Sequence, residues 1–492
     1  MYIGVDCGTQ GTKVIVYDHL EKKIVGEGYA QHDIIANENG RREQDPVWWI
    51  SALDAAMLEA LKMLGNRRDR VKGIGVSGQQ HGLVVLDSSQ RVIRNAKLWN
   101  DTETAEENAK LIGRCGGEKG IIEKLGTNLP VGYTASKLLW IKKHEPENYV
   151  RIATAFNPKD YINFYLTGRL CTDAGSASGT GYFNVNTLKW SDDVLGLMDK
   201  TGRLKQSLPE IVKSSEKIGT LLPSIAKRFG LNGSVFVSPG SGDNMMASLG
   251  TGNVEDGTAT MTLGTSGVLS IYSSHNEAFS FDPITQIQCA GNGGWIPTVM
   301  TMNATSTSTA FQKLFDLSVK EFDQMLEESE IGAEGIVMVP YLNGERMPAL
   351  PGSKGVVSGL TMQNLQQKNL VRASAESVIF GLRWGRDLLT KNTGKLRQIR
   401  ITGGGSNSSP WRQIAADIMD TEVIGVNSRE SGSLGAALQA IWVDGVDDIA
   451  QLCRDHVSLD YSKQAIPNPE TVKKYDECYA SYLEVRKKNF GV

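Results

Sequence analysis

The stretch Tyr2–Asp18, YIGVDCGTQGTKVIVYD, contains two β-rich runs joined by a short loop of Gly and Thr. Gly lets the loop backbone approach a ligand closely because it has no Cβ, and successive loop N–H groups can form a concave nest for an anion. Asp6, at the end of the first run, would then lie where a hydrated metal ion bridges to phosphate oxygens. The stretch is typical either of a phosphate-binding loop or of an ordinary β-hairpin with a Gly turn.

The same pattern returns half a chain later and favours the first interpretation. Gly257–Ser273, GTATMTLGTSGVLSIYS, is again a β-rich run, a Gly-Thr turn and a second β-rich run. About half of the 492 residues separate the two Gly-Thr pairs, so the repeat has the scale of a domain and not of a solenoid unit. The second turn has no counterpart of Asp6, and metal binding is therefore expected of the first half only.

Length and the order of the patterns predict two large α/β domains. A chain of 492 residues is long for a single core. β-rich runs alternate with helical patterns, which favours an α/β fold with layered sheets. We predict domains at residues 1–246 and 247–492, with a hinge in the stretch of dense Gly and Ser at residues 240–256.

Composition excludes several functional classes. The chain is 40% hydrophobic and 22% charged with a net charge of −3, which gives no broad electrostatic footprint for nucleic acid or anionic membrane. No run approaches the ~20 apolar residues that span a bilayer, and the N-terminus does not resemble a secretory signal. The six scattered cysteines lack zinc spacing and are expected to be free thiols in a reducing cytosol. Cys7, inside the first loop, is either a small buried hydrophobe or an oxidation-sensitive thiol, and the first interpretation is favoured.

Asp243 is the best candidate for a catalytic base. It follows a β-rich run and a Pro-Gly-Ser-Gly turn, which is expected to place its carboxylate at the apex of a loop. Phosphoryl transfer from ATP to an alcohol needs a carboxylate that accepts the hydroxyl proton and positive charge on the phosphates. The alternative is that Asp243 only forms a turn or caps the following helix.

Three further segments have side chains or backbone suited to binding. Gly78–Gly82, GQQHG, gathers amide and imidazole groups that suit the hydroxyls of a sugar, although a lone His is often structural. Leu98–Asp101, LWND, adds an aromatic face beside Asn and Asp, or simply the start of a helix. Gly403–Ser409, GGGSNSS, is a strand-to-helix turn that could bind a nucleotide, but no P-loop or Rossmann motif occurs.

A fourth segment, Ala174–Tyr182, AGSASGTGY, is predicted to be a loop of small residues.

Together these motifs resemble those of the FGGY family of carbohydrate kinases, over nearly the whole chain. The phosphate motifs are similar to DCGTQGTK and LGTSG, and the adenosine motif is similar to TGGGSNSSPWRQIAAD. The family signatures resemble Gly132–His144 and Gly355–Glu376, with Ala375 where a larger residue is usual. The resemblance implies two duplicated actin-like (ribonuclease H-like) ATPase domains around a central nucleotide cleft.

The resemblance also implies a role for each matching residue. Asp243 would be the base, Gln80, His81 and Asn244 would orient the sugar, and Asp6 would hold Mg²⁺. The residues implied to bind ATP are Gly8, Thr9, Gln10, Thr12 and Lys13 in the first phosphate loop, Thr265 in the second, Gly404, Gly405 and Ser408 at the adenosine, and, on a looser alignment, Ser308 and Gln312.

The implied reaction is ATP-dependent phosphorylation of a ketopentose. GQQHG, LWND, PKDYINFYLTG, SGDN and YLNGERMP are most similar to motifs of the family members that act on D-xylulose, which would give D-xylulose 5-phosphate. Those members usually carry Met where this chain has Gln80, so ribulose, rhamnulose, fuculose and gluconate stay open as substrates. An ATP-driven actin-like switch protein is the rival from another class, and it has no need of GQQHG. A homodimer is possible, as in many relatives.

Overall fold

The computed structural model describes residues 1–276, 285–345, 347–390, 395–427 and 430–492. The chain divides into two compact units. Unit 1 comprises Met1–Val254, Ile287–Ile296 and Ser428–Val457, and unit 2 comprises Glu255–Gln286, Pro297–Asn427 and Ser458–Val492. The two predicted domains are continuous ranges of sequence, whereas each compact unit combines three separate segments that contact one another. The predicted domain boundary after residue 246 therefore stays a prediction.

The central sheet of unit 1 begins with the hairpin quoted above. Tyr2–Cys7 and Gly11–Asp18 are antiparallel strands, and Tyr2–Cys7 also pairs in parallel with Gly73–Gly78. The strand order is Gly219–Thr220, Phe236–Val237, Gly73–Gly78, Tyr2–Cys7, Gly11–Asp18, Lys23–Gln31, and Ser241–Gly242 also pairs with Gly73–Gly78. The strands predicted on either side of the first loop are confirmed.

Small residues let a helix approach this sheet closely. A Cβ on Gly4 would lie 1.8 Å from the Ser433 carbonyl oxygen, and one on Gly75 would lie 1.9 Å from the Ala436 carbonyl oxygen. Gly4 and Gly75 are register partners in adjacent strands, so together they form a flat surface for the helix Ser431–Val443. The approach brings the N-terminus of this helix beside the ends of both strands.

The other elements of unit 1 surround this sheet. Its helices are Pro46–Lys62, Ala105–Arg114, Gly117–Leu125, Thr134–His144, Pro146–Tyr149, Pro158–Thr167, Ala174–Ser178, Asp192–Met198, Arg203–Gln206, Pro223–Phe229, Asp243–Gly250, Ser431–Val443 and Ile449–His456, with a 3₁₀ turn at Gly65–Arg70. Its minor strands are Ile35–Ala36, Arg42–Gln44, Val84–Leu86, Ala96–Lys97, Thr154–Phe156, Cys171–Asp173, Phe183–Asn184, Lys189–Trp190 and Glu210–Val212. The loop predicted at Ala174–Tyr182 is wrong in its first half, because Asp173 caps a short helix there by accepting a hydrogen bond from the Ser176 N–H at 3.2 Å.

Unit 2 repeats the arrangement of the first sheet. Thr258–Leu263 and Gly267–Ile271 form an antiparallel hairpin, and Thr258–Leu263 pairs in parallel with Gln398–Thr402. The strand order is Trp295–Thr301, Gly267–Ile271, Thr258–Leu263, Gln398–Thr402, Glu422–Val426, Leu459–Ala465. A hairpin with a parallel neighbour on its first strand thus occurs twice, which confirms the repeat expected from the two Gly-Thr turns.

Helices and short strands complete unit 2. Its helices are Thr305–Phe315, Val319–Glu328, Gln367–Leu389, Ser409–Met419 and Pro469–Phe490, with 3₁₀ turns at Ala333–Gly335 and Gly404–Asn407. Further strands of unit 2 are Val337–Val339 and Val356–Ser358, whereas the strand Gln286–Cys289 lies in unit 1 apart from Gln286. Within the described ranges, no helix has both the length and the apolar character needed to cross a membrane.

Candidate active site

The first Gly-Thr loop is fixed by hydrogen bonds to its backbone. The Gly8 N–H donates to the Gly11 carbonyl at 3.0 Å, which closes the turn. The Thr9 carbonyl accepts from Gln44 Nε2 at 2.8 Å, and the Thr9 hydroxyl accepts from Trp99 Nε1 at 3.0 Å. Gln10, at the tip, is exposed. The side chains of Gln44 and Trp99 thus fix the loop by hydrogen bonds from neighbouring segments. A preformed anion nest requires a loop backbone that is fixed in this way.

Thr12 and Lys13, which follow the loop, have partners inside unit 1. Thr12 is fully buried, and its hydroxyl donates to Cys7 Sγ at 3.4 Å. Burial raises the pKa of the Cys7 thiol to about 12, so little thiolate exists at neutral pH. Lys13 Nζ lies 2.5 Å from a carboxylate oxygen of Glu430 and 3.6 Å from one of Glu27. Its positive charge is thus held at the mouth of the loop by acidic neighbours.

Asp6 lies near the end of the first strand, in close contact with Gly432. Its Oδ1 accepts from the Ser77 hydroxyl at 2.7 Å, and Ser77 is its register partner in the parallel strand. A Cβ on Gly432 would lie 2.6 Å from Asp6 Oδ2, so the backbone of Gly432 approaches this carboxylate closely. Burial raises the pKa of Asp6, and the charge of Glu430 raises it further against the opposing effect of the Ser77 hydrogen bond.

Asp243 lies at the first position of a helix instead of at the predicted loop apex. Its backbone continues from Ser241–Gly242, which pairs with the end of the strand that carries Ser77. Burial raises the pKa of the Asp243 carboxyl to about 7, and the negative charge of Asp6 contributes in the same direction. A carboxyl that titrates near neutral pH is suited to accept a proton and release it again.

The two carboxylates fit a hard divalent cation. Mg²⁺ prefers carboxylate and water oxygens, and the charges of Asp6 and Asp243 are close enough to raise a pKa. Among the described residues, carboxylate oxygens of Glu43, Asp101 and Glu103 also lie within 4.8 Å of one another, but an ammonium group occupies this cluster. Lys97 Nζ lies 2.5–3.2 Å from all three carboxylates, so Asp101 of LWND is part of a structural ion cluster.

Gln80 is a buried amide whose hydrogen-bonding capacity is unused. Neither its Oε1 nor its Nε2 has a hydrogen-bond partner among the residues that the structure describes. It lies against the backbone that leads into Asp243, since a Cβ on Gly242 would be 2.3 Å from Gln80 Oε1. A buried amide without partners is costly, and a polar ligand at this point would satisfy it.

The neighbouring His81 is held in a defined orientation. Its Nδ1 donates to the Gly179 carbonyl at 2.8 Å, and its ring stacks on Tyr133 with the ring centroids 4.4 Å apart. The backbone of His81 has φ of 65°, a conformation that non-Gly residues rarely adopt. Asn244, the other residue expected to touch a sugar, is exposed at the start of its helix. Unit 1 therefore contains all residues predicted for the sugar, the metal and the first phosphate loop.

The remaining predicted residues lie in unit 2, around its own Gly-Thr turn. Thr265 is exposed in this turn, and the Gly264 carbonyl accepts from the Thr305 N–H at 2.9 Å, which joins the turn to the helix of Ser308 and Gln312. A Cβ on Gly405 would lie 2.8 Å from the Leu263 side chain, whereas Gly404 faces open space.

Ser408 also has a structural task in unit 2. Its hydroxyl caps the helix Ser409–Met419 by accepting from the Trp411 N–H at 3.2 Å, and it donates to Asp323 Oδ1 at 2.7 Å. These two hydrogen bonds of the Ser408 hydroxyl fix the end of the Gly-rich turn. The contribution of Ser408 to a nucleotide site would therefore come from the backbone it holds in place.

Three supporting residues were not found from the sequence. Gln44 accepts from Gln79 Nε2 and Trp49 Nε1, each at 2.9 Å, while its own amide holds Thr9, so it connects the two loops. No motif marks Gln44. Ser77 could have been found by aligning YIGVD with GIGVS in parallel register, because that register pairs it with Asp6. Glu430 is separated from Asp6 by most of the chain, and no local pattern joins them.

Family models match most of the chain. The model described as "FGGY family of carbohydrate kinases, N-terminal domain" matches residues 1–250, and the corresponding C-terminal domain model matches residues 247–443. The two matches are consecutive and meet near the start of the second half. They match the region of every motif discussed above.

Individual relatives match over almost their full length. The xylulose kinase of Haemophilus influenzae is 45% identical over 98% of this chain and 99% of its own length. The solved structure of a ligand-bound xylulose kinase from Lactobacillus acidophilus has a TM-score of 0.89 at 25% identity and covers 99% of this chain and 98% of its own. A gluconate kinase from the same organism also has a TM-score of 0.89, at 26% identity, covering 99% of this chain and 97% of its own.

Proposed function

Because this chain belongs to the FGGY family of carbohydrate kinases, we propose that it transfers the γ-phosphoryl group of ATP to the terminal hydroxyl of D-xylulose, giving D-xylulose 5-phosphate. The chain is a sugar kinase, and the name of its 45% identical relative supports xylulose as the sugar. The observation that carries the proposal is the buried Gln80 amide without partners among the described residues, packed against Gly242, the residue before Asp243, whose carboxyl has a pKa raised to about 7. A polyhydroxylated substrate would satisfy the first group and be deprotonated by the second.

In this proposal Asp243 accepts the proton of the attacking hydroxyl, and Asn244, Gln80 and His81 orient the sugar. The hydrogen bond from His81 Nδ1 to the Gly179 carbonyl would hold the imidazole in a fixed orientation toward the sugar. The residues proposed to bind ATP are Gly8, Thr9, Gln10, Thr12, Lys13 and Thr265 at the phosphates, Gly404, Gly405 and Ser408 at the adenosine, and Ser308 and Gln312 near the nucleotide.

Asp6 is proposed to hold Mg²⁺, partly through water. A bound Mg²⁺ would neutralise the charge of the phosphate oxygens, which is its usual contribution to phosphoryl transfer. Ser77 fixes the orientation of the Asp6 carboxylate by donating a hydrogen bond to it. The cytoplasmic location and the homodimer stay predictions.

A panel of sugars tests the proposal directly. ADP release from Mg·ATP should be measured with D-xylulose, D-ribulose, L-rhamnulose, L-fuculose and gluconate, and without sugar. We expect D-xylulose to give the highest kcat/KM, with only slow ATP hydrolysis in the absence of sugar. Gluconate is a necessary member of the panel, because a gluconate kinase matches this fold as well as a xylulose kinase does. A higher kcat/KM for another sugar would reassign the substrate, and ATP turnover independent of sugar would favour the switch protein.

The pH dependence of the reaction should follow the ionisation of Asp243. The base must be deprotonated, so kcat/KM for the sugar is expected to fall about tenfold per pH unit below a pKa near 7. Because the charge of Asp6 contributes to this pKa, a cation bound at Asp6 should shift the acidic limb to lower pH. The profile should therefore be measured at low and at high free Mg²⁺. A flat profile between pH 5 and 8 at both concentrations would contradict the assignment of the base.

A further inference from the structure

The short segment Ala174–Gly179, AGSASG, lies buried between the loop that precedes Asp243 and the loop that carries His81. Residues 174–178 form a single helical turn, whose N-terminus is capped by Asp173. Gly175 and Gly179 are four residues apart, so they lie on the same side of this turn. Each of them contacts a different one of the two loops.

Gly175 faces the Asp243 loop. The Ser241 hydroxyl donates to Asp173 Oδ2 at 2.6 Å, and a Cβ on Gly175 would lie only 2.1 Å from that hydroxyl oxygen. On its other side, Asp173 Oδ1 accepts from Lys159 Nζ at 2.8 Å, and the same ammonium donates to the Pro239 carbonyl at 2.9 Å. The backbone two residues before Asp243 is thus anchored to Asp173 through buried, charge-assisted hydrogen bonds.

Gly179 faces the sugar loop. Its carbonyl accepts from His81 Nδ1 at 2.8 Å, and a Cβ on Gly179 would lie 2.3 Å from the same nitrogen. The stacked ring of Tyr133 hinders a movement of the imidazole away from such a Cβ. Neither Gly175 nor Gly179 has a positive φ, so the space that they leave, and not an unusual backbone conformation, accounts for Gly at both positions.

We propose that Ala174–Gly179 is a spacer that sets the positions of Asp243 and His81, with Asp173, Gly175 and Gly179 as positioning residues. The inference rests on the proposed function, in which Asp243 is the base and His81 orients the sugar. Gly175 acts on the base through Ser241, and Gly179 acts on the sugar through His81. The two ends of the segment should therefore have separable kinetic effects.

The test compares Gly175→Ala and Gly179→Ala with Ser176→Ala. Ser176 lies between them, and its buried hydroxyl has no partner among the described residues, so its removal is the matched control. Displacing the base should lower kcat of Gly175→Ala by about 10- to 100-fold. Disturbing one polar contact should raise the sugar KM of Gly179→Ala by about tenfold with a smaller change in kcat. Ser176→Ala should stay within about twofold of the parent in both constants.

A double-mutant comparison separates positioning from loss of folding. Ser241→Ala removes the hydroxyl that anchors the backbone before Asp243 to Asp173, so it should lower kcat in the same direction as Gly175→Ala. Because both changes act through the same hydroxyl, the double variant should lose less than the product of the two separate effects. Rates are expressed per folded enzyme, determined by circular dichroism. If both Gly variants behave like Ser176→Ala, the spacer role is wrong.

Crystal structures of the two Gly variants give a readout that does not depend on activity. The imidazole of His81 should be displaced in Gly179→Ala, and the Ser241 hydroxyl in Gly175→Ala. Unmoved groups would overturn the spacer role even if activity changed. A parent enzyme that phosphorylates no sugar would instead overturn the proposed function, while these displacements would still report on the spacer.

Discussion

Replacing Asp243 by Asn is expected to lower kcat for sugar phosphorylation by about 10²- to 10⁴-fold, the usual contribution of a general base. Asn keeps the size of the side chain but cannot accept the proton of the attacking hydroxyl. Because the carboxyl of Asp243 is partly buried beside Asp6, the substitution also removes one of two repelling charges. The folded enzyme should therefore be at least as stable as the parent, which separates loss of the base from loss of structure.

The measurement is coupled ADP release at saturating Mg·ATP and D-xylulose, with sugar binding followed by calorimetry. Sugar affinity should largely survive, since Gln80 and His81 remain in place. Asp69→Asn is the control, because Asp69 is an exposed acid of the same unit, in the 3₁₀ turn Gly65–Arg70. Near-normal turnover of Asp243→Asn would remove Asp243 from the mechanism.

The second large effect is expected at Asp6. Asp6→Asn should lower kcat/KM for Mg·ATP by at least about 10²-fold, because a bound metal ion contributes several kcal/mol of charge stabilisation in such reactions. Ser77→Ala should have a smaller effect of about tenfold, since Ser77 only orients the carboxylate by its 2.7 Å hydrogen bond. Asp6→Asn removes the charge of the carboxylate, whereas Ser77→Ala removes only the hydrogen bond that orients it, so the first effect should be the larger.

Both variants should be assayed in a titration of free Mg²⁺ at fixed ATP. The Mg²⁺ concentration for half-maximal rate should rise for Ser77→Ala and rise further for Asp6→Asn. Sugar binding in the absence of nucleotide should change little, because neither residue is proposed to touch the sugar. An unchanged Mg²⁺ dependence of Asp6→Asn would show that the metal is held by other groups.

Short-range patterns predicted the local parts of the site correctly. The hairpin of Tyr2–Cys7 and Gly11–Asp18 and its repeat at Thr258–Leu263 follow from β-rich runs on either side of Gly-Thr turns. The turn at Gly404–Asn407 followed by a capped helix follows from Gly-rich residues and Ser408. The segment at Ala174–Ser178 was missed, because small residues predict a loop until the cap by Asp173 is known.

By itself the sequence determined the repeated hairpins, their two loops and the residue types available for chemistry, because turns and strands depend on neighbouring residues and short-range sterics. Tertiary structure alone decided which distant groups share the site. Glu430 and Gly432 reach Asp6 because Gly4 and Gly75 let a helix approach the sheet. The packing of this helix on the sheet depends on the complementary shapes of two surfaces whose residues are far apart in the sequence. A short stretch of sequence therefore cannot predict it.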